Sequence, residues 1–253
     1  SYGLTLGDMT WDLYWYSRGY EFPQYLDEIN SQVSDFQIFH TMGNHDNDFK
    51  AKNDFDAAFQ YVRDIAPTYY SYNIGKIHFI VLDDIDCSDY DGTESRKYAK
   101  NFTSDQMDWL LKDLSYVDKS TPLVITTHAQ IFFPKGNNSF TLDGSAISRW
   151  PNTKKLLNIL KGYTVHFVTG HTHTIFNALP SETAPLGAEN VFEHNAGSIC
   201  ASWWWSGHLT PGVYVSLDGA PAGYSIWDID GKDIKWKYKS VGMDENYQFR
   251  AYD

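Results

Sequence analysis

FQIFHTMGNHD, residues 36–46, is the stretch that decides the fold, because a strand-like apolar run ends directly in polar residues. Phe36 to His40 reads as a buried β-strand, and Gly43 lets the backbone bend sharply after it. The three residues that follow, Asn-His-Asp, are all polar. Polar side chains in that position favour a ligand site at the carboxyl edge of a sheet.

Three further segments repeat this design of an apolar strand, a sharp turn and then oxygen or nitrogen ligands. They are residues 6–8 (LGD), 127–128 (TH) and 169–173 (TGHTH). Because ligands at strand ends gather at one edge of a sheet, we expect the four turns to meet. Carboxylate, amide and imidazole groups suit manganese, iron or zinc, whereas calcium prefers oxygen ligands alone. The sequence therefore predicts a metal site whose ligands come from these four segments.

Strands and helices alternate as far as residue 173, and strands dominate after it. The periodicity predicts helices over about residues 24–33, 54–65, 103–114 and 152–160, and late strands over 212–217, 224–229 and 234–238. The expected apolar face of the second helix consists of Phe55, Ala58, Phe59, Val62 and Ile65. The fold class predicted is α/β (α+β), with two mixed β-sheets packed as a sandwich and helices flanking them. We expect residues 1–253 to form a single domain, with a β-rich part from about residue 190 to 253.

Composition narrows the class of partner. A net charge of −12 and a pI near 5.0 argue against a long nucleic acid, whose phosphates such a surface repels. No apolar run is long enough to be a transmembrane segment. Cys87 and Cys200 form neither a disulfide framework nor a CxxC motif, so two unrelated thiols and a single bridge both stay open.

Taken together and in this order, the four turns resemble those of the calcineurin-like metallophosphoesterases. That family shows an Asp-x-His block, then Gly-Asp, Gly-Asn-His-Asp or Glu, a lone His and Gly-His-x-His. The last four blocks match here, between about Leu4 and His173. The resemblance implies a four-layer architecture and a phosphoesterase that hydrolyses phosphate mono- or diesters. It also implies two divalent or transition metal ions (Mn, Fe or Zn) and attack by a hydroxide that bridges them.

The resemblance also implies a role for each matched residue. Asp8 would bridge the two ions, and Asn44, His128 and His171 would complete one site. His173 would belong to the other site. The catalytic residues would be His45, as acid or hydrogen-bond donor beside the phosphate, and Asp46, which would orient its imidazole.

The sequence departs from the family pattern at the first block, because no Asp-x-His precedes Asp8. One metal site is therefore incomplete in this chain, and we expect a first strand upstream that the chain lacks. The alternative is a catalytically incomplete domain that acts as a ligand- or partner-binding module. The GDMTWD opening at residues 7–12 and the stretch 218–224 resemble a bacterial, exported multidomain subgroup. That likeness implies flanking β domains and a periplasmic or cell-surface location.

Further side chains are candidates for substrate binding. Trp203, Trp204 and Trp205 could form a stacking wall for a sugar, a base or a lipid, or could pack under a neighbouring domain. Asp12 could support the site or be a solvated loop carboxylate. The expected partner is a phosphorylated small molecule, lipid or nucleotide.

Overall fold

The helices and strands follow the predicted alternation. The computed structural model describes residues 1–33, 37–94, 96–137, 139–142, 150–199, 205–206 and 214–248. The helices are α1 (Asp12–Arg18), α2 (Phe22–Gln32), α3 (Asp54–Asp64), α4 (Ser104–Leu114), α5 (Trp150–Ile159) and α6 (Pro180–Thr183). The first eight strands are β1 (Tyr2–Thr5), β2 (Gln37–His40), β3 (Tyr70–Ile74), β4 (Ile77–Val81), β5 (Ile85–Asp86), β6 (Ala99–Lys100), β7 (Leu123–Thr126) and β8 (Phe132–Gly136). The later strands are β9 (Ser139–Leu142), β10 (Val165–Thr169), β11 (Phe176–Ala178), β12 (Val191–Asn195), β13 (Trp205–Ser206), β14 (Tyr214–Val215), β15 (Gly223–Asp230) and β16 (Asp233–Ser240).

A mixed six-stranded sheet forms the centre of the fold, in the order β11-β12-β10-β7-β4-β3. The four inner strands run parallel to one another, and the two edge strands pair antiparallel to their neighbours. The carboxyl ends of the inner strands therefore lie along one edge of the sheet. This is the edge at which parallel sheets place their sites.

Side chains alternate between the two faces of this sheet. On one face Ile80, Ile125 and Phe167 pack against helices α4 and α5 in the largest core cluster. On the other face Phe79 and Val124 contact β1 and the β15–β16 hairpin. Because both faces are covered, the inner strands read as continuous apolar runs.

The second β layer consists, within the described residues, of the parallel pair β1–β2 and the antiparallel hairpin β15–β16. Phe39 of β2 stacks on Tyr72 of the large sheet, with ring centroids 3.7 Å apart. The next residue, His40, points away and contacts Tyr25 of α2. This alternation places α2 outside β2. The order is helices, large sheet, second β layer and helices, so the predicted sandwich with flanking helices is confirmed.

Helix α3 has the predicted position, but three of the five residues predicted on its buried face are exposed, while Ala58 and Ile65 pack against the core. Phe55 is 77% exposed and Phe59 is 52% exposed, and Val62 also faces solvent. The buried residues are Ala57, Ala58 and Tyr61. The small alanines let the helix backbone approach its neighbours, and the Tyr61 hydroxyl donates a hydrogen bond to the His40 carbonyl.

Helix α4 starts where the sequence predicts it, and the Thr103 hydroxyl caps it by accepting a hydrogen bond from the Gln106 backbone N–H. The Gln106 side chain does not complete a capping box. Its amide bonds instead to both the N–H and the C=O of Asp83, just after β4. One buried glutamine thus joins α4 to the site edge of the large sheet.

The described part of the carboxyl-terminal region consists mainly of strands, whose extents differ from those predicted. The hairpin of β15 and β16 turns through Gly231 and Lys232, and Gly231 has a φ of 65°. The strand predicted over residues 212–217 appears as β14, Tyr214–Val215. Cys200 lies outside the described residues, and Cys87 is buried. Among the described residues, no helix combines the length and the apolar character that crossing a membrane requires.

Two buried histidines lie between the large sheet and the β15–β16 hairpin. The ring of His194 bonds to Asn177 and Ser225, and the ring of His166 stacks on Phe192. Burial lowers the pKa of each of the two imidazoles from an ordinary 6.5 to about 4. Both rings are therefore neutral in the folded protein at pH 6.

We predict that these two histidines lower the free energy of unfolding as the pH drops from 6.5 to 4, because the unfolded chain takes up their protons first. In His194→Gln the decrease in the free energy of unfolding between pH 6.5 and pH 4 should be smaller by roughly 2–3 kcal/mol than in the unchanged protein. Urea unfolding at several pH values, read by circular dichroism, measures this difference. Parallel curves for the two proteins would show that His194 does not contribute.

Candidate metal centre

The four predicted turns meet at one end of the β layers. Asp8 follows β1 and Asn44 follows β2, while His128 follows β7 and His171 follows β10. The backbone N–H of Gly170 donates to the carbonyl of His128, which joins the two histidine turns directly. The strand-then-ligand pattern thus reflects a real convergence.

Two glycines allow the turns after β1 and β2 to interlock. A Cβ on Gly7 would lie 2.6 Å from the Gly43 backbone and from the His128 imidazole. A Cβ on Gly43 would overlap the backbone nitrogen and the carboxylate of Asp8. Neither contact is possible for a residue with a side chain unless the turns separate.

Asp46 clamps these turns and does not orient His45, so the role predicted for it is wrong. Its carboxylate accepts hydrogen bonds from the backbone N–H groups of Asp8 (2.7 Å), Gly43 (2.8 Å) and Thr10 (3.1 Å). The residue is fully buried. Burial and the nearby charge of Asp8 raise the pKa of Asp46 to about 7, against the effect of the backbone donors.

His45 is oriented by Asp12 instead. Its Nδ1 lies 3.1 Å from Asp12 Oδ1, and the Arg96 guanidinium binds the same carboxylate through Nε (2.6 Å) and Nη2 (2.7 Å). Asp12 is 0% exposed, so it is not a solvated loop carboxylate, and its contacts are with His45 and Arg96. Burial alone would lower the pKa of His45, but the hydrogen bond that its ring donates to Asp12 and the charge of Asp8 raise it above its ordinary value.

The potential ligand atoms come together as follows. One ligand atom each of Asp8, His128 and His171 lies within 4.8 Å of the other two. His128 Nε2 lies 2.9 Å from Asn44 Oδ1 and 3.0 Å from His171 Nδ1. Because His128 Nδ1 donates to the Leu6 carbonyl at 2.6 Å, its Nε2 presents a lone pair to this cluster. A carboxylate, an amide oxygen and two imidazoles facing one point fit a first-row transition metal ion.

His173 lies beside this cluster and not within it. The group of three ligand atoms does not include it, although its charge contributes to lowering the pKa of His171. Asp8, His171 and His173 all have positive φ angles, of 57°, 66° and 57°. Asn195 fixes the loop around the last two, donating to Thr172 Oγ1 and to the Thr174 carbonyl, each at 2.6 Å.

The charges suit a cation at the cluster. Burial and the neighbouring His128 lower the pKa of His171 to about 3, so that its imidazole is neutral. Burial alone would raise the pKa of Asp8, but the charges of His128 and His45 outweigh it and lower that pKa. An anionic carboxylate, as at Asp8, and a neutral imidazole, as at His171, are the forms that bind metals.

Asp84 is a site residue that the sequence interpretation missed. Its carboxylate accepts the backbone N–H groups of His128 (3.1 Å) and Ala129 (2.8 Å), and burial raises its pKa to about 6. The signal was present, because Asp83 and Asp84 follow the buried strand β4 as the ligands follow the others. Of the predicted tryptophans, Trp203 and Trp204 lie outside the described residues, and only the backbone of Trp205 is described, in β13.

Comparisons with known proteins agree with this geometry. The model of the calcineurin-like phosphoesterase family matches residues 4–174, more than half of the chain. The model of the C terminal of calcineurin-like phosphoesterase matches residues 193–253. No curated protein matches the chain.

Two solved structures share the fold. A dimetal phosphatase from Danio rerio is 13% identical with a TM-score of 0.50, and the match covers 78% of this chain and 72% of that one. A purple acid phosphatase from seeds of yellow lupin (Lupinus luteus) is 14% identical with a TM-score of 0.65. That match covers 99% of this chain and 45% of the lupin protein.

The layered sheets and the converging carboxylate, amide and imidazole groups define a metal-dependent phosphoesterase in general terms. The chain belongs to the calcineurin-like phosphoesterase family. Membership implies dinuclear metal binding. The group formed by Asp8, His128 and His171 is a part of the ligand set that such binding requires.

We predict that Gly43→Ala separates the interlocked turns and weakens metal binding at the cluster at least tenfold. Gly43 has a φ of −108°, which alanine adopts freely, so the damage would come from overlap alone. Gly75→Ala is the matched control, because its Cβ would meet nothing within 4 Å but its φ of 60° costs about 1 kcal/mol. Calorimetric titration with Mn or Zn measures the affinities. Equal affinities in the two variants would contradict the interlock.

Proposed function

We propose that this protein hydrolyses phosphate mono- or diesters. The observation that supports the proposal most is the convergence of four potential ligands, Asp8, Asn44, His128 and His171. The imidazole of His45 lies beside them and bonds to Asp12 instead. Metal ions (Mn, Fe or Zn), when bound, would supply an activated water and would neutralise charge on the phosphoryl oxygens. The two structural relatives are both phosphatases, which agrees with this chemistry.

The role proposed for His45 follows from its raised pKa and its position. The imidazole is bonded to Asp12, and its backbone N–H donates to Asp8 Oδ1 at 2.9 Å. A protonated ring held there would donate to a phosphoryl oxygen or to the leaving oxygen as the ester bond breaks. Asp12 and Arg96 would keep the ring in place and would not touch the substrate.

The proposed ligand sets of the two metal positions are unequal within these 253 residues. Asp8, Asn44, His128 and His171 would hold one ion, whereas Asp8 and His173 would hold the other. The charge of −12 leaves bound cations as the means of attracting an anionic ester. The expected substrate is therefore a small phosphorylated molecule, which includes nucleotides and lipid head groups.

We predict two classes of metal site, because one ligand set is larger than the other. Titration of metal-free protein with Mn should show one ion held at least tenfold more tightly than the second. His128→Ala should abolish the tight class, whereas His78→Ala, at a buried histidine bonded to Asn73 and Asp113, should retain it. Two equally tight ions in the unchanged protein would contradict the proposed sets.

We predict that His45→Ala keeps the tight metal ion but lowers kcat for a phosphate ester about 10²–10⁴-fold, the range for a lost acid–base group. Asp12→Asn should lower kcat by a smaller factor, because the ring remains but loses its partner. Asp64→Asn, at a surface ion pair with Arg63, is the control and should not change kcat.

The assay uses metal-loaded protein with one phosphomonoester and one phosphodiester, with metal content measured alongside. Unchanged turnover in His45→Ala would remove His45 from the mechanism. Full metal content without hydrolysis of either ester in the unchanged protein would instead favour a module that binds a ligand or partner.

A further inference from the structure

An exposed aromatic corner lies directly beside the proposed active site. Trp11 is 37% exposed, and its ring centroid lies 6.0 Å from that of His45, edge to face. Tyr14 contacts Trp11 with ring centroids 4.8 Å apart and planes at 49°. Among the described residues, the apolar core clusters include neither Trp11 nor Tyr14.

The chain around Trp11 is fixed on both sides. The Thr10 N–H donates to Asp46, and the Asp12 carboxylate bonds to His45 and Arg96. The Trp11 carbonyl accepts the Tyr14 N–H at 2.6 Å, at the start of α1. The backbone that carries the indole is therefore fixed near His45, and the Trp11 side chain remains partly open to solvent.

The second ring, Tyr14, is supported by a cation. The Arg18 guanidinium lies over the Tyr14 ring, 4.4 Å from its centroid. An aromatic pair backed by a guanidinium favours a planar π system over an alkyl chain, since stacking and cation–π attraction add to apolar contact. A phosphate beside His45 places the organic part of its ester within reach of this corner.

We propose that Trp11 and Tyr14 form the recognition surface for an aromatic group on the substrate, either an aryl group or a nucleobase. This inference rests on the proposed phosphoesterase function and adds the substrate class to it. Trp11 is then a specificity residue that contacts the ester group and takes no part in bond cleavage. The Trp11 ring should therefore give aromatic esters a lower KM than they have without it. It should have no effect on kcat for alkyl esters.

The test compares metal-loaded unchanged protein with Trp11→Ala and Trp11→Phe on phenyl phosphate, adenosine monophosphate and glycerol phosphate. Trp11→Ala should lower kcat/KM about tenfold for the aromatic esters through a higher KM, with little change for glycerol phosphate. Trp11→Phe keeps a ring and should restore part of the loss. Tyr116→Ala is the control, because Tyr116 is exposed after α4, at the strand-start edge opposite the site.

Inhibition by phenylphosphonate and methylphosphonate gives a second readout, in which leaving-group chemistry plays no part. The unchanged protein should prefer phenylphosphonate to methylphosphonate, and Trp11→Ala should reduce this preference, measured as the ratio of the inhibition constants, about tenfold. An unchanged ratio, or equal losses for all three esters, would overturn the aromatic recognition while leaving the phosphoesterase function standing.

Absence of turnover by the unchanged protein on all three esters would count against the proposed function itself. In that case, unchanged binding of phenylphosphonate to Trp11→Ala, measured by calorimetry, would overturn the recognition surface as well. A loss of phenyl preference for phenyl phosphate but not for the nucleotide would assign the corner to aryl esters.

Discussion

One buried carboxylate holds the metal centre together. Asp46 accepts backbone N–H groups from Asp8, Thr10 and Gly43, so a single side chain ties the turn after β1 to the turn after β2. A buried carboxylate is costly unless donors satisfy it, and here the donors are the backbone groups that the two turns would otherwise leave unpaired. The positions of Asp8 and Asn44, and the close approach of Gly7 to Gly43, all depend on this arrangement.

The two β layers bring the remaining groups to the same point. The inner strands of the large sheet are parallel, so His128, His171 and Asp84 leave it at one edge. Apolar side chains cover both faces of those strands, so packing on each side holds the sheet in place. Asp84 then holds the backbone at His128, and Gln106 ties α4 to the neighbouring Asp83. The centre is thus supported from the core outward.

Much of this could be predicted from the sequence, because the strand-then-ligand pattern carries both fold and position. The sandwich with flanking helices and the family were predicted and are confirmed. Some predictions that required knowledge of side-chain direction were wrong. Spacing along α3 pointed to Phe55 and Phe59 as buried, whereas the close packing of two alanines decided the orientation. The contacts of Asp46 and Asp12 depend on a turn that crosses β layers, and no local pattern reports such a turn.

The left-handed backbone at Asp8, His171 and His173 has a consequence for how quickly an ion is captured. A residue with a side chain costs about 1–2 kcal/mol in that conformation, and folding supplies this free energy through the contacts of Asp46 and Asn195. The backbone at these ligands is therefore held by hydrogen bonds within the chain. A loop held in this way has less conformational entropy to lose when an ion binds, which favours binding.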